Sequence, residues 1–250
     1  MTQLRIRLLA SALLALPFGA AAARADDVDQ LIRAYPDHLD RRDGAELVWK
    51  DGTRMTIDDG VAGKSAEQLL ANGDIDDMFA YPYPASFPKA PPTSDPGRIR
   101  NEAFFKKMYG DCSAGGVARN MVSIDWLPRH KGGRVSVTRV NGVDKRLKAV
   151  SDELDALPDA LIRYAIPSAG TYNCRVIAGT TQPSAHGYGI AIDVNTRFSD
   201  YWRWSKSGYR NQIPAEIVEV FERHGFIWGG KWAHFDTMHF EYRPELLGAP

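Results

Sequence analysis

The chain has 250 residues, with 31 basic and 31 acidic side chains and a formal net charge of zero. That balance leaves no basic footprint for nucleic acid. With 44% hydrophobic residues and no internal repeat or long low-complexity tract, the composition is that of an ordinary globular protein, long enough for one large domain or a smaller domain with an appendage.

Residues 1–25 begin with Arg5 and Arg7 and no acid, continue through an apolar run over 8–23 broken by Pro17 and Gly19, and end on Ala23-Arg24-Ala25, a small-x-small cleavage pattern. The expectation is a secretory signal peptide removed before Asp26. An uncleaved anchor is the alternative, but the run is shorter than the roughly 20 residues that span a bilayer. No cysteine follows to take a lipid, and no later segment offers a membrane span. The alanine- and arginine-rich style points to a Gram-negative periplasm. The excised segment carries three arginines and no acid, so the remainder is slightly acidic.

Residues 26–95 read as an N-terminal appendage. Val28 to Tyr35 has the spacing of a short helix stopped by Pro36. Leu47 to Lys50 and Thr53 to Ile57 flank Asp51-Gly52, a strong hairpin signal. Ala66 to Ala71 reads as another short helix closed by Asn72-Gly73. Tyr81 to Pro96 is rich in proline and aromatics. It is an extended segment that wraps a surface or lines a groove, or else serves as a stiff linker.

Residues 96–250 form the main domain in this reading. Asn101 to Tyr109 places Phe104, Phe105 and Met108 on one helical face. Val117 to Trp126 and Val135 to Val140 read as strands, and Asn141-Gly142 as a turn. Leu147 to Leu157 repeats apolar residues at helical spacing. Pro214 to His224 is a helix with Pro at its first turn, Ile217, Val220, Phe221 and His224 on one stripe, and Gly225 beyond its end. Strands and helices that do not alternate regularly predict an α+β fold, a small mostly antiparallel sheet with flanking helices.

The two cysteines, Cys112 and Cys174, lack partners at zinc-ligand spacing. Export and an even count predict a disulfide, against the alternative of two buried thiols.

The chemistry concentrates in the last quarter. Ser184-Ala185-His186-Gly187-Tyr188-Gly189 leads into Ile190 to Asn195, where apolar residues alternate with Ala191, Asp193 and Asn195. His186 and Asp193 are seven residues apart, an odd offset that would point them to opposite faces of a straight strand. Gly187 and Gly189 permit a bend or bulge that brings them together. Met238 to Tyr242 reads as a terminal strand with His239 and Glu241 on its polar face, and Asp236 lies in the turn before it. Two histidines and one carboxylate suit a catalytic zinc ion, which keeps one position open. Spacing alone does not decide between zinc and hydrogen-bonded structural histidines, and His234 competes with His239.

Taken together, these motifs resemble the M15 family of zinc peptidases, which includes D-alanyl-D-alanine carboxypeptidases, dipeptidases and L-alanyl-D-glutamate endopeptidases. The family's serine-x-histidine, six residues, aspartate pattern is met by Ser184, His186 and Asp193, and its acid-x-x-histidine by Asp236 and His239. The segment from Phe226 to Trp232 followed by Asp236 to Glu241 is similar to the endopeptidase branch. Two positions depart from that branch: Lys231 replaces a usual acid, and Met238 a usual proline or tryptophan.

The resemblance implies a DD-peptidase/hedgehog-like sheet carrying Zn2+ on His186, Asp193 and His239. It implies Asp236 as the general base and Arg175 as a group for a substrate carboxylate or the oxyanion. Ser184, Trp228 and Trp232 are candidate substrate contacts, and Glu241 a support for His239. The implied substrate is a peptidoglycan stem peptide, cut at the L-Ala–D-Glu bond or, as the alternative, at D-Ala–D-Ala. Lys231 in place of an acid favours an anionic group nearby. A reading of another class is a cell-wall-binding module that keeps the metal without turnover, and Asp236 favours the enzyme. The sequence carries no signal for oligomeric state.

Overall fold

The computed structural model describes residues 27–248, so the expected signal peptide lies outside the described residues. Helix α1 spans residues 27–34. It buries Val28 and Leu31, and beyond it the hydroxyl of buried Tyr35 donates to Glu245 Oε2 at 2.6 Å. The beginning and end of the described chain are thereby joined.

Strands β1 (Leu39–Asp43), β2 (Glu46–Trp49) and β3 (Arg54–Thr56) form an antiparallel sheet in that order. The β2–β3 turn falls on Asp51-Gly52: Asp51 accepts from Thr53 N at 3.0 Å, and Gly52 takes a φ of 84°. Strand β1 had no sequence signal, because four of its five residues, Asp40 to Asp43, are charged and exposed. Helix α2 (Ala66–Asn72) starts at a reciprocal capping box between Ser65 and Gln68.

The proline-rich segment crosses the outside of the main domain. Tyr83 donates to Glu222 and accepts from Trp228 N at 2.9 Å, and Phe87 stacks on Trp228 with ring centres 5.4 Å apart.

Helix α3 (Glu102–Tyr109), capped by Asn101, buries Phe104, Phe105 and Met108 as the spacing predicts. Strands β4 (Met121–Asp125) and β5 (Arg134–Thr138) pair antiparallel. The strand expected from Val117 begins only at Met121, because Ala118–Asn120 forms a 3₁₀ turn. Helix α4 (Val143–Asp155) begins four residues earlier than its apolar spacing suggests, directly after Asn141 and Gly142, which turn the chain with positive φ. A single turn, α5 (Asp159–Ile162), follows.

Strands β6 (Ala191–Asp193), β7 (Phe226–Trp228) and β8 (His239–Tyr242) make a third antiparallel sheet in the order β6-β8-β7. Helix α6 (Ala215–Arg223) buries Ile217, Val218, Val220 and Phe221, and the Phe221 ring stacks on Phe240 of β8 at 3.8 Å. Burying such a ring is worth roughly 1.5–3 kcal/mol, which fixes the sheet against the helix. Pro214 sits at the N-cap rather than inside the first turn, and His224 leaves the apolar stripe to pair with Glu153 at 2.9 Å.

One hydrophobic cluster runs through the described chain. It joins Leu31, Leu47 and Trp49 to Phe104, Trp126, Leu147, Ile192 and Phe240, so residues 27–95 share the core of the main domain. The architecture is α+β with small antiparallel sheets. Among the described residues, no helix is long and apolar enough to cross a membrane.

Candidate metal centre

The register of β6 on β8 places Asp193 directly opposite His239, so both side chains leave the same face of the sheet. His186 arrives differently from the bulged strand that its offset suggested. It sits in a 3₁₀ turn, Ala185–Tyr188, started by Ser184, whose Oγ accepts from His186 N at 3.4 Å. Gly189 ends the turn at a φ of 71°, where a Cβ would come within 2.7 Å of Met121 Sδ. Strand parity therefore never applied to His186.

The three side chains converge. His186 Nε2 lies 3.2 Å from Asp193 Oδ1 and 3.1 Å from His239 Nδ1, and His239 Nδ1 lies 3.1 Å from Asp193 Oδ1. The opposite ring nitrogens are taken: His186 Nδ1 donates to Thr171 O, and His239 Nε2 donates to Glu241 Oε2 at 3.0 Å. Both acceptors lack protons, so each ring turns its other nitrogen toward the shared point. Zinc at about 2.1 Å from tetrahedral ligands sets them roughly 3.4 Å apart, close to the observed triangle.

Charge agrees with geometry. Burial works against ionised Asp193, yet hydrogen bonds to His186 and His239 hold its carboxyl well below the usual range. Burial likewise opposes a charge on His239, but bonds to Asp193 and Glu241 push its pKa up to about 10. A field that favours a proton there favours a divalent cation in its place. Glu241 is fully buried and is kept ionised by Arg100, whose Nη2 donates to it at 2.5 Å, and by His239 and Arg243. The donor set fits zinc.

Asp236 stands beside this triangle. Its Oδ1 is buried without a hydrogen-bond partner. Burial and the nearby Asp193 charge push its carboxyl up to about 6, against the pull of His239, His186 and Arg98. An orphaned acceptor with a raised pKa suits proton transfer.

These groups open into a cleft of about 360 Å³ that also reaches Arg98, Arg175, Trp202 and Trp232. Arg175 is exposed, and its Nη1 reaches Val176 O at 3.4 Å. The neighbouring Cys174 is bonded to Cys112, with Cα atoms 5.7 Å apart. Trp232 lines the cleft with its ring 5.5 Å from His239, while its Nε1 donates to Pro96 O at 2.6 Å. Trp228 is fully buried and bonded to Thr237 O, so it belongs to the core and does not line the cleft. His234 pairs with Asp95 at 2.6 Å, and among the described residues it is His239 that completes the triangle.

Lys231 also differs from its expected role. It is 1% exposed, paired with Glu222 at 2.6 Å and bonded to Pro84 O at 2.7 Å, so it pins the proline-rich segment rather than facing the cleft. That segment touches the site only at its end. There Ala233 N donates to Ser94 O at 2.7 Å and His234 N to Asp95 at 2.9 Å. Sequence reasoning passed over Arg98, Arg100 and Thr171, which come from chain segments without motif character. A second acidic group, Asp58, Asp59 and Asp74, already has a cation, since the Lys64 ammonium lies 2.9 Å from both Asp59 and Asp74.

Two imidazoles and a carboxylate, two of them on one antiparallel sheet, with the unpartnered Asp236 Oδ1 beside them, form a group that could hold a metal ion. Residues 178–242 match the model of a peptidase family of the M15 group, described as D-alanyl-D-alanine carboxypeptidase. The matched quarter of the chain contains His186, Asp193, Asp236 and His239, and it begins after Arg175. The chain is also similar to the peptidoglycan L-alanyl-D-glutamate endopeptidase CwlK of Bacillus subtilis (strain 168), at 37% identity over 67 residues. That alignment takes in 24% of this chain and 40% of the relative, so the chain spans less than half of the protein it resembles. No solved structure matches the chain.

Proposed function

We propose that this protein is an exported, zinc-dependent peptidase that hydrolyses peptidoglycan stem peptides between L-Ala and D-Glu. The reading rests on one observation above all: His186 Nε2, Asp193 Oδ1 and His239 Nδ1 converge within 3.2 Å of one another beside the unpartnered Asp236 Oδ1. Zinc held by these three side chains would supply the Lewis acidity that polarises water and the scissile carbonyl.

The chain's own residues do the rest. Thr171 and Glu241 lock the two imidazoles in the tautomers that present Nε2 and Nδ1. Asp236, whose buried Oδ1 has no hydrogen-bond partner beside the triangle, takes the proton from the attacking water and hands it to the leaving amine. Arg175, exposed in the lining of the same cleft, steadies the developing oxyanion in this reading. The likeness to CwlK favours the endopeptidase bond. The description of the matched family favours cleavage of D-Ala–D-Ala, the second reading. The arginines and apolar run of residues 1–25 support export to the periplasm.

The test is a stem pentapeptide incubated with the zinc-loaded protein and weighed by mass spectrometry. Loss of L-Ala alone is expected. Loss of one D-Ala would make the enzyme a carboxypeptidase, and an intact peptide with zinc bound would make the protein a non-catalytic module.

A further inference from the structure

We propose that Arg98 determines substrate specificity by anchoring the free α-carboxylate of the residue that supplies the leaving amine. The inference rests on the peptidase reading above. Arg98 lies outside the segment matched by the peptidase family and is brought to the cleft by the chain that follows the proline-rich segment.

Its environment is that of a guanidinium prepared for an anion. The side chain is 16% exposed and lines the cleft, while its Nη1, buried without a close hydrogen-bond partner, is turned toward Asp95. The closest carboxylate, Asp95 Oδ1, stands off at 3.5 Å and already accepts from His234 N at 2.9 Å. Arg100, two residues on, is instead paired at 2.5 Å with buried Glu241. Of the three arginines in the cleft, Arg100 is closely paired, Arg98 has only the long 3.5 Å ion pair with Asp95, and Arg175 reaches only Val176 O. Of the last two, Arg98 is the one set in place, lying over the Trp232 ring at 5.8 Å with Asp95 behind it. A guanidinium seated over a ring presents its donors as a fork that fits a carboxylate.

The substrate chemistry supplies the partner. In a stem peptide D-Glu is linked onward through its γ-carboxyl, so the residue whose amine leaves on L-Ala–D-Glu cleavage keeps a free α-carboxylate. The terminal D-Ala of a D-Ala–D-Ala bond does the same. Arg98 therefore serves either bond and selects against substrates in which that carboxylate is amidated.

The test compares two stem peptides, identical except that the α-carboxylate beside the scissile amide is free in one and a carboxamide in the other, on the zinc-loaded protein and on Arg98→Gln and Arg98→Lys. The wild type is expected to favour the free acid by roughly 10- to 100-fold in kcat/KM, mostly through KM, as suits a charge-assisted pair. Arg98→Gln should treat the two alike, with any change in rate through Asp236 common to both, and Arg98→Lys should recover part of the preference. Equal losses on both peptides in Arg98→Gln, or no preference in the wild type, would overturn the proposal. If the wild type cuts neither peptide, the peptidase reading fails, and calorimetric binding of the same two peptides decides the anchor. Tighter binding of the free acid that disappears in Arg98→Gln supports it, and equal binding refutes it. Should Arg98→Gln fail to fold, the same comparison on Arg98→Lys decides, with a reduced preference expected and an unchanged one contradicting the assignment.

Discussion

Glu241 accepts the Nε2 proton of His239 at 3.0 Å while Arg100 and Arg243 hold its two oxygens from the other side. A carboxylate two residues along β8 thus sets the tautomer of an imidazole on the same strand whose Nδ1 faces His186 and Asp193. Replacing Glu241 by Gln keeps the shape and removes the charge, and metal affinity should fall about 10- to 100-fold. Competition with a chromogenic chelator measures it. Glu241→Ala should add a loss of about 3–5 kcal/mol in stability, because it leaves buried arginine charge uncompensated. An unchanged affinity in Glu241→Gln would detach Glu241 from the metal centre.

Asp236 has a different part. Asp236→Asn should keep the fold and the zinc and lose hydrolysis by ~10²–10⁴-fold. Turnover at saturating zinc, read with metal content on the same sample, gives the answer. A metal-loaded Asp236→Asn protein that works near the wild-type rate would move proton transfer to another group.

Lys231 is predicted to matter for stability and not for substrate. It is 1% exposed, and its partner Glu222 also receives the Tyr83 hydroxyl. Lys231→Met breaks a buried pair and should cost about 3–5 kcal/mol, or roughly 6–20 °C in melting temperature for a protein of this size. KM for an anionic peptide should not change. A raised KM with an unaltered melting curve would return Lys231 to the cleft.

How much of this was legible beforehand follows from what a linear pattern encodes. The alternation of Ile190, Ile192 and Val194 and of Met238, Phe240 and Tyr242 marks β6 and β8, and the antiparallel register then sets Asp193 against His239. The helical stripe of α6 was equally plain, since Ile217, Val220 and Phe221 all face the core. Parity gave the wrong picture of His186, because a capping serine and a positive-φ glycine make a 3₁₀ turn whose side-chain directions do not follow a period of two. Trp228 and Lys231 read as cleft residues because they neighbour the motif in sequence, and only packing against Phe87 and Glu222 reveals their burial. Arg98 and Arg100 reach the site from more than 80 residues upstream of His186, a separation over which no local pattern speaks.

The disulfide between Cys112 and Cys174 braces the site from behind. It closes a loop of 62 residues, and Cys112 Sγ lies against Gly187, the neighbour of His186. By the loop-entropy model its loss should cost about 4 kcal/mol. Melting with and without reductant measures this, and alkylation of unreduced protein should leave both cysteines unmodified. Two alkylated cysteines would contradict the bridge.

The central claim is that one zinc ion on His186, Asp193 and His239 drives hydrolysis of the stem peptide. Protein stripped with chelator and titrated with zinc while it digests purified muropeptides tests this most directly. The account predicts no products without metal, full activity at one equivalent of zinc per chain, and neither binding nor activity in His186→Ala. Cleavage by the stripped protein, or full zinc occupancy and turnover in His186→Ala, would contradict it.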